Sequence, residues 1–155
     1  MIGCVGYMRH GHEPEALRKV VRKAGRVLRA MRNSTPFDAI AFRGMSGASI
    51  AYPVSYLTGI PTVNVRKDGG SGSHGMAIEG PNKSIESYVI LDDLIDSGET
   101  VKAIIRGLAN RMIPAKQCKA IVLYHSHRND SFSYYDADAD AGGNFVEIPV
   151  VSIRL

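Results

Sequence analysis

The sequence predicts an α/β fold, in which helices flank a central and mainly parallel β-sheet, and three observations support this. Short apolar segments typical of strands alternate along the chain with segments of helical periodicity. The segment 88–91, YVIL, is apolar throughout, as expected of a strand buried on both faces. Glycine-rich or charged segments directly follow predicted strands at 43–47, 66–75 and 92–100. Because ligands of such sheets bind at the carboxyl ends of the strands, these segments should meet at one edge.

Length and composition are those of an ordinary globular domain. The chain has 155 residues, of which 45% are hydrophobic and 22% charged. No apolar segment has the length that crosses a bilayer, and the N-terminus has no apolar signal-peptide core. Cys4 and Cys118 are too few for a disulfide framework. We therefore expect one cytoplasmic domain over 1–155, without a membrane partner.

A basic amphipathic helix is predicted near the N-terminus, at about 14–32. Pro14 and neighbouring acids suit a helix N-terminus, and apolar residues recur at helical spacing after them. The remaining surface carries the cations Arg18, Lys19, Arg22, Lys23, Arg26, Arg29 and Arg32. A solvated face is the simpler interpretation, because no aromatic residues interleave to stack on bases. Attraction of nucleic-acid phosphates to the helix at 15–32 stays open as an alternative.

The core elements are predicted over about 37–125. The expected strands are FDAIAF, PTVNV, SYVILDD and CKAIVLYHS, at 37–42, 61–65, 87–93 and 118–126. The expected helices are SGASIAYPVSYLTG and SGETVKAIIRGLANRM, at 46–59 and 97–112. Proline lacks the N–H that a helix or strand interior uses, so Pro53 should distort or shorten the first of these helices. The segment 126–155 is expected to form a hood or edge region, in which Pro149 interrupts strand residues.

The segment VILDDLIDSGET, at 89–100, sets two acids between a buried strand and a run of small polar residues. Free N–H groups at the first turn of the following helix, the helix dipole and two hydroxyl groups favour a bound phosphate there. Gly98 permits close approach of the backbone. Asp92 and Asp93 disfavour a bare polyphosphate but suit sugar hydroxyls or a Mg²⁺ ion. A ribose 5-phosphate combines both features.

This segment resembles the 5-phosphoribosyl-1-pyrophosphate (PRPP) signature of the type I phosphoribosyltransferases, which is a hydrophobic strand, two acids, two apolar residues and D-[ST]-G-x-T. The resemblance implies transfer of ribose 5-phosphate from PRPP to a nucleobase, with release of pyrophosphate. It implies Mg²⁺ as the cofactor, held with the ribose hydroxyls at Asp92 and Asp93, directly or through water. It implies a homodimer, since relatives are often dimeric. The implied 5-phosphate-binding residues are Asp96, Ser97, Gly98, Glu99, Thr100 and Val101.

Two further segments resemble parts of the same family. The segment AFRGMSG resembles the pyrophosphate-binding loop, which implies contacts from Arg43, Gly44, Met45, Ser46 and Gly47. The segment 66–83 stands where the family has a flexible lid, and its pattern VRK…SHG…IEG resembles the orotate branch. Arg66, Lys67 and His74 match that branch and are implied to be catalytic, with Arg66 and Lys67 also contacting the pyrophosphate. The branch's second lysine has no counterpart here.

The indications for the acceptor base conflict. Asp96 is typical of the branches that use 6-oxopurines, where it handles the N7 proton, whereas Arg66, Lys67 and His74 favour orotate. The lysine with which oxopurine branches bind the base oxygen has no counterpart in LYHSHRND, at 123–130. We favour a 6-oxopurine because Asp96 lies within the strongest motif. Orotate and adenine stay open.

Two alternatives to an enzyme also stay open. One is a regulator that binds PRPP as a signal and uses the basic helix on nucleic acid, and the other is a non-catalytic interaction module. The lid cations and Asp96 favour catalysis, because a sensor needs neither. A calcium loop at 136–147 is disfavoured, since Ala141 takes the position at which the sharp turn requires glycine.

Overall fold

A computed structural model describes residues 12–67, 75–125, 129–137 and 143–153. Its helices are α1 (Pro14–Ser34), α2 (Gly44–Thr58) and α3 (Glu99–Ala109). Its strands are β1 (Ala39–Phe42), β2 (Thr62–Val65), β3 (Ile78–Glu79), β4 (Tyr88–Asp92), β5 (Cys118–Leu123), β6 (Ser131–Asp136) and β7 (Asn144–Ser152). A short 3₁₀ turn, Ala115–Gln117, leads into β5.

The strands form a seven-stranded sheet in the order β3-β2-β1-β4-β5-β7-β6. All neighbours from β2 to β7 in this order pair in parallel, while the edge strands β3 and β6 pair antiparallel to β2 and β7. The predicted α/β fold with a mainly parallel sheet is therefore confirmed.

Successive side chains of the central strands enter opposite faces of the sheet and build two cores. Ile40 and Phe42 of β1 pack with α1 and α2, whereas Ala39 and Ala41 pack with α3. Strand β4 is buried throughout, which is why its sequence is apolar rather than alternating. The sheet thus has helices on both faces, and the segments that leave its strands remain available for a ligand.

Helix α1 is amphipathic, as predicted. Val20, Ala24 and Leu28 are fully buried against the rest of the fold, and its cations lie on the outer face. At Gly25 a Cβ atom would lie 3.1 Å from Cδ2 of Leu57, so the glycine lets α1 and α2 pack closely. No helix in the described part of the chain is long and apolar enough to span a bilayer.

Four details differ from the predicted elements. Ile78 and Glu79, inside the segment 66–83 predicted to be a flexible lid, form β3 and pair with β2. Helix α2 begins at Gly44, before the predicted start at 46, and continues through Pro53. Residues 131–136 form β6, which was not predicted, and its Phe132 and Tyr134 pack on the core. Strand β7 is not interrupted at Pro149.

Strand β7 tolerates Pro149 because of its position in the pairing. Pro149 lies opposite Ser131 at the end of the β6–β7 ladder, and the β5–β7 ladder starts only at Val150. The nearby hydrogen bond to the β6 side is donated by Val150 N–H to the Asp130 carbonyl, at 2.8 Å. A proline at a ladder end removes no interior hydrogen bond.

Candidate functional site

The described parts of the segments predicted to meet at the carboxyl edge of the sheet do lie there. Residues 43–47 follow β1 and begin α2, Arg66 and Lys67 follow β2, and 93–98 connect β4 to α3. Because β2, β1 and β4 are parallel neighbours, these three exits are adjacent. His74 lies outside the described residues, as do 68–73 of the predicted lid at 66–83.

Asp92 and Asp93 form a buried acid pair, with exposures of 3% and 7%. Oδ1 of Asp92 accepts hydrogen bonds from the Ser46 hydroxyl, at 3.1 Å, and from the Asp93 N–H, at 3.0 Å. Burial, and then the adjacent Asp93 carboxyl, raise the pKa of Asp92, while those two hydrogen bonds act in the opposite direction. Neither acid has an ion pair with a described cation, so the pair offers uncompensated negative charge to a ligand.

The donor set of this pair suits Mg²⁺. Two adjacent carboxylates supply hard oxygen ligands, which this ion prefers. The described residues contain no group of three or more His, Cys, Asp or Glu side chains that could hold a metal ion. Mg²⁺ commonly keeps several waters and binds through one or two carboxylates plus substrate phosphates, so two acids are sufficient protein ligands.

Tyr124 connects the acid pair to α2 and is nearly fully buried. Its hydroxyl donates to the Ser46 carbonyl at 3.0 Å, and its N–H donates to the Asp92 carbonyl at 3.2 Å. His125 N–H donates in turn to the Asp93 carbonyl at 2.9 Å. The chain leaving β5 therefore supports the acid pair. No local sequence signal predicts these contacts, because they depend on the pairing of β4 with β5.

The turn from β1 into α2 requires its glycines. Gly44 has a φ of 75°, and a Cβ atom there would lie 2.5 Å from Cε of Lys67. The Lys67 side chain thus lies directly against the start of α2. At Gly47 a Cβ atom would lie 2.8 Å from Cβ of Phe42, so this glycine lets the helix approach the sheet. Arg43 donates from Nη2 to the Lys67 carbonyl at 3.5 Å.

A cavity of about 430 Å³ opens beside this turn and brings together Gly44, Met45, Arg66 and Lys67, all predicted pyrophosphate contacts. In its wall, Nη1 of Arg66 lies 2.9 Å from Oε1 of Glu79. The other carboxylate oxygen of Glu79 accepts from Nδ2 of Asn64 at 3.1 Å. The sequence pattern predicts no role for Glu79 or Asn64, although Glu79 lies in the segment IEG, at 78–80.

The loop from Leu94 to Val101 encloses a much smaller cavity, of about 90 Å³. Gly98 precedes the first turn of α3 with a φ of 78°, and a Cβ atom there would lie 2.8 Å from Cε2 of Phe132. The Glu99 N–H donates to the Ser97 hydroxyl at 3.4 Å. Such a cavity admits only a few water-sized groups, which suits a single phosphate.

The charge of Glu99 in this loop is balanced by two cations of α3. Its carboxylate lies 2.9 Å from Nζ of Lys102 and 3.7 Å from Nη2 of Arg106. The hydrogen bond from Lys102, followed by its charge, lowers the pKa of Glu99. An anion bound at the loop therefore meets a compensated carboxylate.

Comparisons with known proteins agree with the fold. No protein-family model matches the chain, and neither does any curated protein. Among solved structures, Leishmania donovani UMP synthase matches with a TM-score of 0.59 and 28% identity, over 77% of this chain and 24% of that one. Francisella tularensis orotate phosphoribosyltransferase matches with a TM-score of 0.61 and 14% identity, over 92% and 68%.

A third match is Mycobacterium tuberculosis orotate phosphoribosyltransferase in complex with PRPP, with a TM-score of 0.54 and 16% identity, over 77% of this chain and 66% of that one. The chain spans about a quarter of the UMP synthase that it resembles. The similarity extends over most of this chain in each case. The fold is that of the type I phosphoribosyltransferases.

Proposed function

We propose that the protein is a Mg²⁺-dependent phosphoribosyltransferase that transfers ribose 5-phosphate from PRPP to a nucleobase. The observation that carries the proposal is the hydrogen bond from Ser46 to Asp92, which joins the turn at the large cavity to the acid pair. The acid pair leads directly into the small cavity at 94–101. PRPP carries its pyrophosphate, ribose hydroxyls and 5-phosphate in this same order.

The small cavity would bind the 5-phosphate. Backbone N–H groups at the start of α3 and the hydroxyls of Ser97 and Thr100 supply donors, in the positive field of the helix N-terminus. Gly98 lets the backbone take a positive φ at this turn with Phe132 packed against it. Asp92 and Asp93 would bind the ribose hydroxyls. Anchoring the donor at these two points fixes its reactive carbon relative to the acceptor.

The transfer breaks the bond between the anomeric carbon and pyrophosphate, and pyrophosphate leaves with the electron pair. The base nitrogen supplies the pair for the new carbon–nitrogen bond, and Asp96 accepts the proton that the base loses. Arg43, Arg66 and Lys67 stabilise the charge of the leaving group. Mg²⁺ held by Asp92 and Asp93 would supply further positive charge to the pyrophosphate.

A 6-oxopurine is the acceptor that we propose. Asp96 is exposed at the rim of the small cavity, so its carboxylate is accessible to a base. Orotate is the second candidate, because Arg66 and Lys67 of the orotate-like pattern both line the large cavity. Two of the three similar structures described above are orotate phosphoribosyltransferases by name.

Incubation of the protein with PRPP, Mg²⁺ and a panel of bases tests the proposal, with nucleotide product resolved by chromatography. We expect product from hypoxanthine, guanine or xanthine. Asp96→Asn should reduce turnover strongly and leave PRPP affinity nearly unchanged. Near-normal turnover by Asp96→Asn would exclude it as the base, and product from orotate alone would reassign the acceptor.

A regulator that binds nucleic acid is a second candidate function, and helix α1 favours it. Arg18, Arg22 and Arg26 are exposed at successive turns, about 6 Å apart along the axis. The apolar face of α1 is buried in the core, so it is not available for insertion into a membrane. Binding of RNA or DNA that weakens steeply with salt and changes with PRPP would support this function.

A homodimer is also part of the proposal. Helix α2 exposes Met45, Tyr52 and Tyr56 on one side, with exposures of 70%, 52% and 94%, and Met45 and Tyr52 also line the large cavity, so the dimer surface would border that cavity. Large apolar side chains grouped on a surface commonly mark an interface. Analytical sedimentation should show a dimer for the wild type and a monomer for Tyr52→Ser/Tyr56→Ser. A monomeric wild type would contradict the proposed homodimer.

A further inference from the structure

We propose that Glu79 is a positioning residue for Arg66, and that its charge limits how tightly the large cavity holds pyrophosphate. This inference rests on the proposed function, because it concerns the leaving group of that reaction. Glu79 has two opposite effects on pyrophosphate affinity. Its carboxylate holds the Arg66 guanidinium at the cavity wall, which favours binding. Its negative charge lowers the positive potential in the cavity, which weakens binding.

Both oxygens of the Glu79 carboxylate have partners on β2 and at its end. Oε1 lies 2.9 Å from Nη1 of Arg66, and Oε2 accepts from Nδ2 of Asn64 at 3.1 Å. The side chains of Arg66 and Glu79 are only 22% and 34% exposed, so solvent screens this pair less than an open surface pair. Because both of its oxygens have partners, the Glu79 carboxylate holds the Arg66 guanidinium in a defined position.

The backbone holds this support in register. Glu79 lies opposite Asn64 in the β2–β3 ladder, and the Arg66 N–H donates to the Ala77 carbonyl at 2.9 Å. The three side chains therefore extend from paired strands rather than from a free loop. A residue presented by paired strands keeps its geometry with little loss of entropy on binding.

The charges around the cavity give Glu79 its second effect. Arg66 and Lys67 line the cavity, and Glu79 is an acid in contact with Arg66. The Arg66 guanidinium at the cavity wall attracts an anionic ligand such as pyrophosphate. The nearby carboxylate nevertheless repels that ligand. Because pyrophosphate must leave after transfer, binding it less tightly favours turnover over product retention.

Two substitutions separate these effects. Glu79→Gln keeps the length of the side chain and an acceptor for Arg66 but removes the charge. Glu79→Ala removes the acceptor as well. Calorimetric titration with inorganic pyrophosphate and Mg²⁺ should show roughly fivefold tighter binding to Glu79→Gln, and weaker binding than wild type to Glu79→Ala. The gain of Glu79→Gln should diminish as salt is raised.

Glu86→Gln is the matched control, since Glu86 is an exposed acid before β4, at the opposite edge of the sheet. It should bind pyrophosphate like the wild type. Ribose 5-phosphate, which probes the small cavity, should bind equally to the wild type and Glu79→Gln. Unchanged or weaker pyrophosphate binding by Glu79→Gln would overturn the role of Glu79 alone. A wild type that binds neither probe would overturn the proposed function together with it.

Discussion

The Ser46 hydroxyl donates a 3.1 Å hydrogen bond to Oδ1 of Asp92, and this bond joins the first turn of α2 to the carboxyl end of β4. The same residue accepts the Tyr124 hydroxyl at its carbonyl. Ser46 therefore connects three parts of the sheet edge. A buried carboxylate that keeps its donors stays ionised more readily, so the contact bears directly on binding of a cation or of sugar hydroxyls.

Ser46→Ala removes this donor from Asp92. We expect roughly tenfold weaker binding of PRPP with Mg²⁺, and a loss of about 1–2 kcal/mol in the free energy of unfolding. Calorimetry and urea denaturation measure the two effects. Ser49→Ala is the control, because Ser49 lies on the same helix and its hydroxyl donates to the Ser46 carbonyl instead. Equal PRPP affinity in the two variants would contradict a role for the Ser46 hydroxyl.

Gly98→Ala should distort the loop that encloses the small cavity. The glycine has a φ of 78°, and the added Cβ would lie 2.8 Å from the Phe132 ring. The positive φ alone costs alanine about 1 kcal/mol in the free energy of unfolding. The contact with Phe132 adds a further steric cost. We expect loss of ribose 5-phosphate binding, measured by calorimetry.

Gly59→Ala is the control for Gly98→Ala. Gly59 has a φ of 71°, but nothing lies within 4 Å of its added Cβ. Gly59→Ala introduces the strain of a positive φ without steric crowding. It should lower the free energy of unfolding while leaving ribose 5-phosphate binding intact. Retained binding by Gly98→Ala would show that this loop does not bind the phosphate.

Asp38 should make stability depend on pH at the amino edge of the sheet. Oδ2 accepts from Glu86 N–H, Ser87 N–H and the Ser87 hydroxyl, at 3.0, 2.9 and 3.0 Å. Burial acts to raise the pKa of Asp38, but these bonds and the charge of Arg32 outweigh it and lower the pKa. The unfolded chain therefore binds the proton more readily.

The stabilisation from ionised Asp38 is consequently present above the unfolded pKa, near 3.9, and is lost as the pH falls through the lower folded value. Asp38→Ala should destabilise the protein by about 1 kcal/mol at pH 7, and by less at pH 3. Urea denaturation at both pH values measures this. Asp130→Ala, which replaces an exposed acid, is the control and should not change the free energy of unfolding in this way. A destabilisation by Asp38→Ala that is larger at pH 3 than at pH 7 would contradict the stabilising role of ionised Asp38.

The sequence is sufficient to predict those helices and strands whose residue pattern is local. The uninterrupted apolar run of β4 follows from burial on both faces, and α1 follows from its helical spacing. Strand β6 was missed, although Phe132 and Tyr134 alternate with exposed residues as strand residues do. Its assignment depends on pairing with β7, which lies beyond residue 137 in the chain.

The same distinction holds at the site. The motif at 89–100 predicts a site at Asp92, Asp93 and the loop before α3, because all of these residues lie within one segment of the chain. The contacts of Arg66 with Glu79 and of Tyr124 with Ser46 join distant segments. They exist only once the strands are in order, so neither spacing nor composition could predict them.

Calorimetric titration of PRPP with Mg²⁺ into the wild type and Asp92→Asn/Asp93→Asn tests the central claim most directly. Both acids are buried between Ser46 and the chain after β5, and asparagine preserves their size. We predict binding by the wild type and its loss in the double variant, with folding verified by thermal denaturation. Equal affinity of the two proteins for PRPP would contradict the assignment of this edge of the sheet as the donor site.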